Sequence, residues 1–242
     1  NLTDQDLTGA NLSGQDLRKV DLTSTIIRGA NLSDTNLEGK NLSGMDLRGI
    51  NFSNANLRGV DFTDSVFSKT IQISGDCQDE NQVLNVLKNF TCITEVIKNE
   101  SIRTDFRNAD LTNAKFGILQ QDKNQMIYFA NFRNADLTNA KINSVQFFGC
   151  DFTNTKLDNL TAKQMFIVKS DFKNTEMNYF DIRQTWIQKT SFNNAQMTNG
   201  LFDSITFIDT HFPETDLEGT NFVNLNQYDS TYNCENNDIC TK

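Results

Sequence analysis

The sequence predicts an all-β solenoid, on two observations. Apolar residues recur every five positions, and the composition disfavours helix. The 242-residue chain holds 32 Asn and 25 Thr, residues that favour turns and strand edges over helix interiors. A helix would space its apolar residues near 3.6 and a flat strand at two. A spacing of five fits neither. It fits a chain that turns a corner every five residues.

The elements follow in order. Leu2, Leu7, Leu12, Leu17, Leu22, Ile27, Leu32, Leu37, Leu42, Leu47, Phe52, Leu57, Phe62 and Phe67 are fourteen apolar centres without a gap. The segment at about 69–103 breaks this frame. Within it, residues 80–99 (ENQVLNVLKNFTCITEVIKN) place Val83, Val86, Leu87, Phe90, Ile93 and Ile97 at helical spacing, so one amphipathic α-helix is expected there. Phe106, Leu111 and Phe116 restore the frame, and residues 117–126 form a short excursion. Twenty centres then run from Ile127 to Phe222, and of all the centres only Ala162 is not Leu, Ile, Phe or Met. The tail, 225–242, loses the repeat and is expected to cap the last coil, because an open coil edge is sticky. No such cap precedes Leu2, so upstream residues or a second copy would have to cover the first coil. The reading is one solenoid over 1–224, not two domains.

The neighbours of the centres are patterned too. Two residues before a centre the side chain is often small, as at Ala10, Ala30, Ala109, Ala135 and Cys150. One residue before, it is usually Asp or Asn. The text reads ADLTN, ANLSD, ANLRG, ANFRN and CDFTN. This resembles the pentapeptide-repeat family, whose consensus is A(D/N)LXX, over residues 1–68 and 104–224. The resemblance implies a right-handed quadrilateral β-helix with four pentapeptides per coil. The centre and the small residue would point inward and the other three outward. The 37 centres then make about nine coils. Every fourth centre should stack on one face. Phe132, Phe152, Phe172, Phe192 and Phe212 form one such core stack. Ile127, Phe147, Ile167, Ile187 and Phe207 form another, joined by Leu7, Ile27, Leu47 and Phe67.

Function classes narrow quickly. The formal charge is −9, which disfavours direct binding to nucleic acid or to an anionic membrane. No apolar run is long enough to span a bilayer. There is no GxxxxGK[ST], no GxGxxG after a strand, no HExxH and no GxSxG. The expectation is a chain that is not an enzyme and needs no cofactor. The lone His211 reads as a surface residue. Asp151, Asp171 and Asp181 could suggest calcium, but read better as side chains that hydrogen-bond the backbone at corners.

Four of the five cysteines lie outside the repeats. Cys77 and Cys92 in the insert, and Cys234 and Cys240 in the tail, are candidate disulfide partners that would staple the two segments with the least core of their own. Disulfides persist in oxidising compartments, so an extracytoplasmic setting is favoured: periplasm, thylakoid lumen or secreted. The alternative is reduced cysteines in the cytoplasm. Cys150 sits at an inward small position.

One outer wall departs from the polar pattern. Met126, Tyr128, Phe148, Phe166, Val168, Trp186 and Ile208 flank the centres of the Ile127 face. Such a stripe is a contact surface. Two occupants compete: the inserted helix folded down over it, or a partner, including a second copy in a homodimer. The function expected is a non-enzymatic protein-binding scaffold acting through its faces and inserts. The resemblance adds two alternatives. Some family members mimic DNA and bind type II topoisomerase, and some bacterial effectors carry a similar rod as the recognition module of a larger protein. Charge weighs against the first, since residues 1–69 carry nine acids against seven bases.

Overall fold

The computed structural model describes residues 2–68, 103–119, 124–228 and 231–232. Its unit is a corner. In most repeats the carbonyl of a centre accepts the N–H three residues on: Ala55 to Phe52 at 3.0 Å, Ala135 to Phe132 at 3.0 Å, Leu160 to Leu157 at 3.1 Å. The residue two after the centre takes a positive φ, 58° at each of Asn54, Asn134 and Asn154. A turn with its third residue in the left-handed region favours Gly or Asn there, and these repeats supply them. The residue before the centre completes the corner. Its side-chain oxygen accepts the backbone N–H two residues on, as Asp151 does from Thr153 and Asp171 from Lys173, both at 2.9 Å. Asp181 accepts instead from the Arg183 guanidinium, at 2.7 Å.

Corners stack at an offset of twenty. The Leu37 N–H donates to the Asn56 carbonyl and the Asn36 N–H to the Gln15 carbonyl, both at 2.9 Å. Repeated, this gives a β-solenoid in which every pairing among the described residues is parallel. Two walls are ladders of single bridges. One runs through Asn11, Asn31, Asn51, Asp105, Asn131, Asp151, Asp171, Ser191 and His211. The other runs through Asp16, Asn36, Asn56, Asp110, Asp136, Lys156, Glu176, Gln196 and Asp216.

The other two walls become sheets of short strands. The first sheet stacks β1 (Asp61–Thr63), β2 (Lys115–Gly117), β4 (Lys141–Asn143), β6 (Thr161–Lys163), β8 (Asp181–Arg183), β10 (Leu201–Asp203) and β13 (Asn221–Val223) in that order. The second stacks β3 (Gln125–Tyr128), β5 (Val145–Phe148), β7 (Phe166–Val168), β9 (Trp186–Gln188), β11 (Thr206–Ile208) and β14 (Asn226–Tyr228). A last pair, β12 (His211–Phe212) with β15 (Thr231–Tyr232), extends the first bridge ladder. Parallel pairing therefore carries on past Phe222, through 226–228 and 231–232.

The ladders also survive both interruptions. Asn51 pairs with Asp105, 54 residues on, and Lys115 pairs with Lys141, 26 residues on. The frame is kept across both interruptions. The helix expected at 80–99 lies outside the described residues, as do Cys77, Cys92, Cys234 and Cys240. Gln125 joins the edges of the two gaps. Its Nε2 donates to the Phe62 and Ser65 carbonyls at 2.7 and 2.9 Å, and its Oε1 accepts the Gly117 N–H at 2.9 Å.

The core is one continuous apolar column from Leu17 to Leu217. Its spine is a stack of rings: Phe52, Phe106, Phe132, Phe152, Phe172, Phe192 and Phe212, with successive centroids 4.5–5.4 Å apart. Where Thr replaces Ala in the small slot its hydroxyl is satisfied, as buried polar groups must be. Thr155 donates to the Phe132 carbonyl of the preceding coil at 3.0 Å, and Thr210 to that of Ile187 at 3.1 Å.

Candidate functional site

The outer side of the second sheet is the candidate interaction face. In each strand the centre points into the core, so the residues on either side point out. Register then builds two outer columns. One runs Met126, Gln146, Phe166, Trp186, Thr206, Asn226. The other runs Tyr128, Phe148, Val168, Gln188, Ile208, Tyr228. All seven residues of the apolar stripe read from the sequence lie on these two columns.

Burial along the second column is graded. Tyr128 is 7% exposed, Phe148 0%, Val168 1% and Gln188 5%. Ile208 is half-buried and Tyr228 is 58% exposed. In the first column Met126, Phe166 and Trp186 are half-buried. The Tyr128 ring meets Phe148 edge-on at 6.0 Å, and its hydroxyl donates to Gln146 Oε1 at 3.3 Å. Burial pushes the Tyr128 phenol up to about 12. Among the described residues, two polar atoms on β9 are buried without a hydrogen-bond partner, the Trp186 indole N–H and Gln188 Oε1.

The N-terminal edge of this face holds an aromatic that the sequence reading passed over. Phe129 sits at the corner position with φ +56°, a conformation costly for a bulky side chain. Its ring lies edge-on to Phe148 at 5.5 Å and under the Arg103 guanidinium at 5.3 Å. Gly149 makes room for it: a Cβ there would stand 2.5 Å from the ring. The lost signal was local, an aromatic in a slot that usually holds Gly, Asn, Asp or Ser. Gln188 and Tyr228 were also passed over, Gln188 because it is polar and Tyr228 because it lies beyond the last centre.

Elsewhere the site residues are simpler. Cys150 is a free thiol, fully buried, its acidity suppressed by burial to a pKa of about 12. His211 lies 3.1 Å from Asp209 on a partly exposed corner. Among the described residues no group of His, Cys, Asp or Glu could hold a metal ion, and no helix is long and apolar enough to cross a membrane.

Comparison with known proteins agrees with the repeat. The family model described as pentapeptide repeats matches residues 1–34, 30–68 and 129–159, in eight copies. No curated protein matches the chain. Among solved structures the chain is similar to HetL, a pentapeptide repeat protein involved in heterocyst differentiation regulation from the cyanobacterium Nostoc sp. strain PCC 7120. That likeness is 14% identical, covers 93% of this chain and 88% of that one, and has a TM-score of 0.27. QnrB1, a plasmid-mediated fluoroquinolone resistance protein, is 15% identical over 88% of this chain and 89% of its own, with a TM-score of 0.41. A pentapeptide repeat protein from the Arabidopsis thaliana thylakoid lumen is 24% identical over 60% of this chain and 69% of its own, with a TM-score of 0.33. Over the matched residues the chain carries pentapeptide repeats, and the same five-residue frame continues between and beyond them.

Proposed function

We propose that the protein is a non-enzymatic scaffold that binds another protein through a wall of its solenoid and its inserted segments. The rod would be a right-handed quadrilateral β-helix of about nine coils, a reading supported by two bridge ladders and two sheets that keep one offset. The observation that carries the function is the apolar outer side of the second sheet. It runs beyond its buried part to half-buried Ile208 and open Tyr228, so its C-terminal end offers apolar surface to a partner. The test is affinity capture with the purified chain beside an Ile208→Asp/Tyr228→Asp variant. A protein held by the native chain and lost by the variant, at unchanged melting temperature, supports the reading. Equal capture by both would contradict it.

The DNA-mimic alternative, with type II topoisomerase as partner, finds less support. Asp16, Asp46, Asp105 and Asp181 each hold the guanidinium of the Arg two residues on, so these four carboxylates are neutralised locally. The extracytoplasmic setting is part of the proposal and rests on Cys77, Cys92, Cys234 and Cys240. A thiol count by mass spectrometry tests it. One free thiol in the native protein, rising to five on reduction, is expected from the five cysteines. Five without reduction would remove the argument for an oxidising compartment.

A further inference from the structure

We propose that the corner between the second sheet and the first bridge ladder binds a carboxylate, with Arg103 as the receiving group and Phe129 as its support. The site is separate from the apolar wall, and it stands whether or not the open end at Tyr228 binds a partner.

Shape is the first argument. A cleft of about 320 Å³ opens at this corner, lined by residues 103–105, 107, 129–131, 149 and 151. That is the lower end of the size range of small-ligand sites. One side of the cleft is a strained residue. The corner position that holds Phe129 at φ +56° holds Gly9, Gly29, Gly49 and Gly149 in other coils. A bulky side chain is costly there, and such strain is kept where the position of the side chain is used. Contact with Phe148 at 5.5 Å fixes the ring, and the Arg103 guanidinium lies over it, 5.3 Å from its centroid.

Charge is the second argument. Arg107 gives its Nε and one terminal nitrogen to Asp105 at 2.6–3.0 Å, and Arg133 reaches Asp151 at 3.5 Å. Among the described residues no hydrogen bond or ion pair reaches the Arg103 guanidinium. Three guanidiniums therefore meet two carboxylates, in a chain whose formal charge is −9. The unmatched cation is Arg103. A guanidinium laid on an aromatic face keeps its N–H edge free, and that edge is a fork that fits a carboxylate through two parallel hydrogen bonds.

The lining also selects among anions. Asp105 and Asp151 border the cleft, and a second negative charge on the ligand would be repelled by them. This disfavours a phosphate dianion or a polyanion. The Phe129 ring gives the cleft an apolar side. A single carboxylate on a short apolar stem matches both features. It can come from a Glu side chain in a peptide or from a small organic acid.

Proton–nitrogen NMR of the arginine Nε–H resonances tests this on the full chain. The probes are sodium propionate and a capped peptide with one Glu, each beside its neutral twin, propionamide or the same peptide with Gln. The Arg103 resonance should shift to saturation with an acid. That of Arg18, exposed on another wall and paired with Asp16, should stay in place. With Arg107 as reporter, binding should weaken about tenfold or more in Arg103→Met, as for a lost charged hydrogen-bond pair. Phe129→Leu keeps the apolar bulk but loses the aromatic face, and should weaken binding severalfold. Saturation by propionate assigns the cleft to a free small acid, and saturation by the Glu peptide alone assigns it to an acidic side chain of a protein; either supports the proposal. No shift with either acid would overturn it. So would equal shifts with the neutral twins, shifts shared by Arg18, or unchanged affinity in Arg103→Met.

Discussion

Within one coil, Asn143 and Phe148 occupy equivalent places on adjacent walls. Each follows a buried centre, Ile142 in one case and Phe147 in the other, and each lies in a strand of a parallel sheet. Yet the second sheet presents a more apolar and more covered outer side than the first. On the first, Lys115, Lys141, Thr161, Lys163 and Arg183 are exposed. On the second, the corresponding places hold Met126, Gln146, Phe166, Val168 and Gln188, half-buried or buried. The backbone is indifferent to this difference. Its ladder and the inward centres build both walls equally, and the outer residues are free to say what lies against them. In a solenoid the inner sequence encodes the fold and the outer sequence encodes the contacts.

The comparison can be broken from the inside. Ile142→Asp on the first wall and Phe147→Asp on the second each bury a carboxylate in the apolar column with no partner. Each should cost more than about 4 kcal/mol and abolish cooperative melting. The two variants should be equally damaging, because inside the rod the walls are alike. A variant that melts normally would show that the inward register is wrong.

The five-residue frame was legible because every centre obeys one local rule. Asp151 and Asp171 were legible for the same reason, since an Asp or Asn before most centres meets the same corner. The left-handed corner position was written in the sequence as Gly9, Gly14, Asn54, Asn134 and Asn154, a column that could have been read and was not. Other features escaped because they depend on residues far away in the chain. Gln125 is one polar residue in an excursion, and its role appears only when Phe62, Ser65 and Gly117 converge on it. The apolar stripe was visible, but its gradient of burial from Phe148 to Tyr228 was not, because periodicity fixes which way a side chain points and not what covers it.

The most direct test of the account is therefore on the outside, in one coil. Phe148→Ala and Asn143→Ala should be compared by denaturant unfolding. The account predicts a loss of about 3 kcal/mol for Phe148→Ala, as for a truncated core aromatic, and a change within about 0.5 kcal/mol for Asn143→Ala, as for an ordinary surface site. Equal, small changes in both would contradict it, for they would mean that the outer side of the second sheet is no more covered than that of the first.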